Sequence, residues 1–324
     1  MYILGILPGG IGNKLYSITY YIHIYLNIKK YQTIEKLYLI SMISHHEKDN
    51  KEEKIYNMFP LLKKQTWLEW IDWDKYRVLK KGIRQKITNI KIRNYSGIKL
   101  PLLYRGYYFS KDYFFKSYKF FHKLYIFNPE YKKLDIKYNY NGIALHLRLG
   151  DKIDLIYDRE ILNKKNIYPF TIFTPKFYSD HLKRFNLNMI LYIFTDSPNI
   201  FKKFYSRGIK HKYHIVDLNF CESFYLMTRF KNIILSHSTM STFASYFNNN
   251  RNRKIFAHEY TRIPTPNNIT KVMYTKASLL TEISKNFTSK KYFIHENKHL
   301  LIKLYKYNKK LKYNRTSKQN KGDK

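Results

Sequence analysis

The chain of 324 residues has a single cysteine, Cys221, so no intrachain disulfide framework supports it, and no Cys/His cluster shows the spacing of a zinc site. Both absences fit a reducing compartment. Long apolar runs are missing too. The longest near the start, residues 15–28, is too short to span a bilayer, contains His23 and Asn27, and follows a glycine loop where a signal peptide would carry a charged start. The expectation is a cytoplasmic protein with neither signal peptide nor membrane anchor, and with no stem before the first strand. Acidic residues are scarce: 23 Asp and Glu against 60 Lys and Arg, a formal net charge of +37. Such an excess ordinarily points to nucleic acid or an anionic membrane. Here the basic residues run along the whole chain, and Lys is accompanied by 33 Tyr, 22 Phe and abundant Asn and Ile. All of these have codons rich in A and T, so mutational bias competes as the cause, and no nucleic-acid partner is expected.

What is present is a globular composition, 44% hydrophobic, at a length that suits two domains. Residues 2–7 read as a buried strand, 8–13 (PGGIGN) as a tight loop and 14–30 as a helix, a βα unit that opens an α/β domain. The loop is neither a P-loop, since no Gly-Lys-Ser/Thr follows, nor a dinucleotide fingerprint, since Leu15 stands where the third glycine should be. A second strand is expected over 37–43. Between residues 56 and 81, Trp67, Trp70, Trp73 and Tyr76 recur every third position, which predicts one aromatic face of a helix. Asp72 and Asp74 within it form a DxD, the pattern that holds a divalent ion in many nucleotide-sugar enzymes; on a helix the two carboxylates diverge, so a solvated face is expected instead.

The stretch 141–152, NGIALHLRLGDK, is the most informative. An apolar strand ends in His146, Arg148, Gly150 and Asp151, where open α/β sheets place ligands. His146 and Arg148 share a side of an extended chain, and a guanidinium at such a mouth suits a diphosphate. Downstream, strand 189–194 ends in Thr195-Asp196-Ser197-Pro198. There Asp196 could bind a ribose or base edge or simply cap a helix. Strand 232–236 ends in His237-Ser238-Thr239-Met240-Ser241 before a helix over 242–247, a ready phosphate cradle. Thr174-Pro175 starts a further helix. Residues 294–313 are a candidate last helix, with Leu300, Leu301, Leu304 and Leu311 among lysines, whereas 298–324, lysine-rich with one acid, Asp323, are read first as a disordered basic tail, with an anionic membrane surface as the alternative partner.

Taken in order, these stations resemble glycosyltransferase family 11, the α-1,2-fucosyltransferases. GGIGNKLY is similar to the family's GGLGNQLF loop, RGYYFSKDYF to GYFQSxxYF, HLRLGDK to HxRxGDY, IFTDSP to FSDD, and SHSTMSTFASYF to NSTFSWWAAYL. Lys14, Leu149, Lys152, His237 and Thr242-Phe243 depart from those patterns. The resemblance implies a GT-B architecture, two Rossmann-like domains facing a cleft, here set at 1–135 (acceptor side) and 136–290 (GDP-sugar side), followed by a basic helix or tail over 291–324. It implies an inverting transfer of fucose from GDP-fucose to a sugar hydroxyl of a glycan, with no metal and no cofactor beyond the donor. Carried over by position, Arg148 holds the diphosphate, His146 and Asp196 place the guanosine, and Ser238, Thr239 and Ser241 bind phosphate oxygens. Gly10, Gly12 and Asn13 would close the cleft, and Asp151, with Asp154 behind it, is the candidate base. Transfer from another GDP-sugar is the alternative, with a basic nucleic-acid-binding protein behind it.

Overall fold

The structure, a computed structural model, describes residues 1–7, 9–41, 51–83, 85–87, 99, 101–105, 123–160, 162, 172–247, 253–258, 271–275 and 298–322. The chain forms two compact units. The first holds Met1–Tyr138 and Phe220–Leu226; the second holds Asn139–Asn219 and most of the described chain from Met227 onward. Each is an α/β unit built on an all-parallel sheet, the expected fold class.

In the first unit β1 (Tyr2–Leu7) lies between β2 (Lys36–Ser41) and β5 (Leu102–Arg105), with β3 (Leu68–Trp70) and β4 (Gln85–Ile87) at the edges, in the order β3-β2-β1-β5-β4. Helix α1 (Ile11–Ile28) is apolar around most of its circumference and is buried accordingly, from Ile11 to Ile28. The Tyr21 hydroxyl donates to the Ile6 carbonyl and ties the helix to β1. The aromatic segment differs from the expected single helix. It breaks into α2 (Lys51–Met58), α3 (Pro60–Lys63), strand β3 and α4 (Trp73–Lys81). Leu68 and Trp70 pair with Leu37 and Leu39 of β2, so Trp70 serves a sheet and Trp73 and Tyr76 a helix. Asp72 is the N-cap of α4, accepting from the Lys75 amide, and Asp74 is an exposed partner of Arg77. Residues 129–137 form a 3-10 helix that packs in this unit, with Leu134 buried and Asp135 accepting from Tyr225.

The second unit has the order β11-β10-β9-β6-β7-β8, with β6 at Ile143–Leu147, β7 at Leu191–Thr195, β8 at Tyr213–Ile215, β9 at Asn232–Ile234, β10 at Lys254–His258 and β11 at Lys271–Thr275. Counted from β6, this is the dinucleotide-fold order 3-2-1-4-5-6, and it reverses between β6 and β9. Residues buried on both faces explain why β6 reads as a continuous apolar run. Ile143, Leu145 and Leu147 face a core shared with α5 (Gly150–Glu160), α6 (Pro175–Leu182) and a long terminal helix over Lys298–Gly322. Thr174 caps α6, accepting from the Phe177 amide, with Pro175 in the first turn as expected; the next helix, α7 (Phe220–Met227), belongs mostly to the first unit.

The terminal segment corrects the tail reading. It is helical, and Leu301 and Leu304 are 0% exposed within the core of the second unit. Its apolar seam is therefore covered by the core of the second unit. Among the described residues no helix is long and apolar enough to cross a membrane. Residues 106–114, most of the segment similar to GYFQSxxYF, lie outside the described residues.

Candidate functional site

Parallel pairing sets three strand ends side by side. Leu147 of β6 is in register with Thr195 of β7, and Leu145 with Ile234 of β9, so the turns after β6, β7 and β9 open at one edge of the sheet. That edge is the switch point, where neighbouring loops run to opposite faces and leave a crevice.

Arg148 stands directly after β6, its side chain 38% exposed. Asp151, one helical turn on, accepts from Nε at 3.3 Å and from Nη2 at 3.2 Å on each carboxylate oxygen, and Asp196 Oδ2 lies 3.5 Å from Nε. The guanidinium is thus fixed in plane by two carboxylates from two strand ends. Surface pairs of this kind add little stability; what they supply here is a preset orientation for a two-pronged donor. Both Asp151 oxygens are turned to Arg148.

Asp196 does more than either sequence reading foresaw. Its Oδ1 accepts from the backbone N–H of Leu149 at 2.9 Å and of Gly150 at 3.1 Å, so it caps α5, a helix that begins 46 residues earlier in the chain. A Cβ at Gly150 would sit 3.0 Å from Asp196 Oδ2, which explains the glycine: the carboxylate needs the space. Leu149 is fully buried, so this turn presents one guanidinium.

His146 is buried, and Ser236 Oγ lies 2.6 Å from its Nδ1. Burial, with Arg148 adding to it, pushes the imidazole down to about 3, so it is neutral at working pH. It stitches β6 to the turn after β9. Lys152, where the family pattern has tyrosine, was not singled out as a site residue by the sequence reading. Burial and the Arg148 charge push it down to about 8, against the opposing pull of Asp151 and Asp196. A lysine next to the HxRxGD turn was the available signal.

Helix α8 (Thr239–Phe247) begins three residues earlier than expected. Ser238 precedes it, and its carbonyl accepts from the Thr242 amide, from Thr242 Oγ1 and from Ser241 Oγ. Ser241 is fully buried with its hydroxyl committed to Ser238, so the structure does not bring it into the crevice. Thr239 is partly exposed, and the first N–H groups of α8 have no carbonyl partner inside the helix.

In the first unit the corresponding turn follows β1. Helix α1 starts at Ile11, so Gly12 and Asn13 lie in its first turn and Gly10 is the N-cap. The constrained residue is Gly9, at φ 71°, where a Cβ would lie 2.4 Å from Asn13 Nδ2. Gly10 has nothing within 4 Å of its Cβ position. Lys14 is fully buried, with Nζ 3.3 Å from the Leu7 carbonyl. Among the described residues no three His, Cys, Asp or Glu side chains group as metal ligands.

No family model matches the chain, and no curated protein matches it in sequence. Among solved structures, it is similar to the α-1,6-fucosyltransferase NodZ, from a crystal soaked with GDP-fucose, at 9% identity and a TM-score of 0.43, covering 76% of this chain and 92% of that one. It is also similar to the E. coli ADP-heptose lipopolysaccharide heptosyltransferase II, at 11% identity and a TM-score of 0.41, covering 84% and 90%. Likeness at this level defines neither donor nor reaction.

Proposed function

We propose that this chain is an inverting, metal-independent glycosyltransferase of GT-B architecture, which moves fucose from GDP-fucose to a sugar hydroxyl of a glycan, as the α-1,2-fucosyltransferases do. The observation that carries the reading is the placement of Arg148. It is the guanidinium of a motif similar to HxRxGD, oriented by two carboxylates, at the switch point of a 3-2-1-4-5-6 sheet.

The step is a single displacement. The acceptor oxygen forms a bond to the anomeric carbon while the bond from that carbon to the β-phosphate oxygen breaks, and GDP departs with the electron pair. Charge grows on the leaving phosphate, so a fixed guanidinium, assisted by Lys152 and the first N–H groups of α8, stabilises the transition state more than the bound donor. Thr239 and Ser238 stand at that helix start. Asp196 holds the Arg148 turn and, with its side chain 38% exposed, is the group proposed to meet the guanosine as well, and His146 works through Ser236. Asp151 orients Arg148 and, with lone-pair capacity beyond those three contacts, is the proposed acceptor of the hydroxyl proton. In the glycine loop, Gly10 is the position open to close approach.

The reading is tested by incubating the protein with galactoside acceptors and GDP-fucose, with GDP-mannose as competing donor and with chelator present. Transfer of fucose with inverted configuration, undiminished by chelator, is expected. Transfer only from GDP-mannose would overturn the donor, and dependence on a divalent ion would overturn the metal-independent mechanism.

A further inference from the structure

Gly150 is gripped from two directions. Its N–H donates to Asp196 at 3.1 Å, and its carbonyl accepts from Asn308 Nδ2 at 3.3 Å. Asn308 lies on the terminal helix, here α9 (Lys298–Gly322), 158 residues further along, and is 5% exposed. The same Nδ2 reaches Asp154 Oδ1 at 3.1 Å, and Lys312, one turn on, pairs with the other Asp154 oxygen. Tyr305 stacks on Tyr157 of α5, their planes 3° apart. A buried amide on the same seam as Leu301 and Leu304 is costly unless it is bonded, and Asn308 Nδ2 is bonded to Gly150 and Asp154, across the first turn of α5. That turn carries Asp151, and Arg148 stands two residues before its first residue.

We propose that α9 is a brace for the anion-binding turn and that Asn308 is a positioning residue for Arg148. It holds the start of α5 from below while Asp196 holds it from above, so that the guanidinium meets a diphosphate without reorganising. The inference rests on the donor reading for its ligand, but its mechanical part does not. Asp154, occupied by Asn308 and Lys312, belongs to this brace.

The test uses the full chain with Asn308→Leu, which keeps the volume and removes the amide, and Asn308→Gln, which restores an amide. Two readouts are taken. Hydrogen exchange at the amides of residues 149–154 is expected to quicken at least tenfold in Asn308→Leu, with the melting temperature nearly unchanged and partial recovery in Asn308→Gln. Dissociation constants for GDP are expected to rise about tenfold in Asn308→Leu, but by less than twofold when the same change is made in an Arg148→Ala background, because the brace acts through Arg148. Equal losses in both backgrounds, or unchanged exchange, would overturn the proposal. If Asn308→Leu does not fold, Lys312→Met removes the surface half of the anchor and is read in the same cycle. Failure of the wild-type protein to bind GDP would count against the donor reading, and the exchange measurement would still decide the brace.

Discussion

After β1 the first unit turns through Gly9 and Gly10 into α1, and Lys14 lies buried with its ammonium on a backbone carbonyl. After β6 the second unit turns through Gly150 into α5, and Arg148 lies half exposed between two carboxylates. The sheets are alike, each parallel and each with its first strand central. The turns are used differently. One glycine is there for its backbone, at positive φ; the other for the space a neighbouring carboxylate occupies. A shared fold therefore positions the two turns without fixing their chemistry, and the charge that could meet an anion is concentrated in the second.

The comparison breaks most sharply at Arg148. Arg148→Lys keeps the charge and loses the fork, and turnover is expected to fall roughly 10²–10³-fold with the melting temperature unchanged. Steady-state kinetics on GDP-fucose checks it; near-normal turnover would remove Arg148 from its role.

The glycines give the next contrast. Gly150→Ala must displace Asp196, and about tenfold weaker GDP binding is expected, equivalent to about 1.4 kcal/mol. Gly9→Ala acts on the fold instead, costing about 1–2 kcal/mol from positive φ alone, whereas Gly10→Ala, with open space, should change stability by no more than about 0.5 kcal/mol. Paired calorimetry and denaturant melts would show the split; equal effects at Gly10 and Gly150 would erase the distinction.

A smaller effect comes from pH. Lys152 is neutral in much of the free protein above about 8, and a bound diphosphate favours its charged form. Affinity for GDP should therefore fall several-fold as pH rises from 7 to 9, and Lys152→Met should flatten that slope. Stability has its own sign. The folded-state value lies below the ordinary lysine value of 10.5, so the cost of burying the charge is present below about 8 and is relieved as pH rises between the two. An equal slope in the Lys152→Met variant would show that Lys152 does not face the ligand.

Much of this was legible along the chain. The strands β1, β2, β6, β7 and β9 announced themselves as apolar runs, and the turns after them as polar residues following directly. What was hidden is non-local. Trp67, Trp70, Trp73 and Tyr76 keep a threefold spacing, yet Trp70 sits in a three-residue strand because β2 offers it an edge. A strand that short has no period of its own. The terminal helix looked like a tail because lysines surround a narrow seam of Leu301, Leu304 and Asn308; burial against α5 and the core of the second unit, not composition, orders it. The role of Asp196 depends on a helix end brought to it by strand pairing, which no local pattern encodes.

The central claim is that the turn after β6 binds the diphosphate of a guanosine nucleotide through Arg148. The most direct measurement is the melting temperature of the wild-type protein and of Arg148→Ala with and without GDP, with UDP as control. At a hundredfold excess over the dissociation constant, GDP should stabilise the wild-type protein by about 2.7 kcal/mol, UDP should do far less, and Arg148→Ala should lose most of the shift. A GDP shift of equal size in both proteins, or none in the wild type, would contradict it.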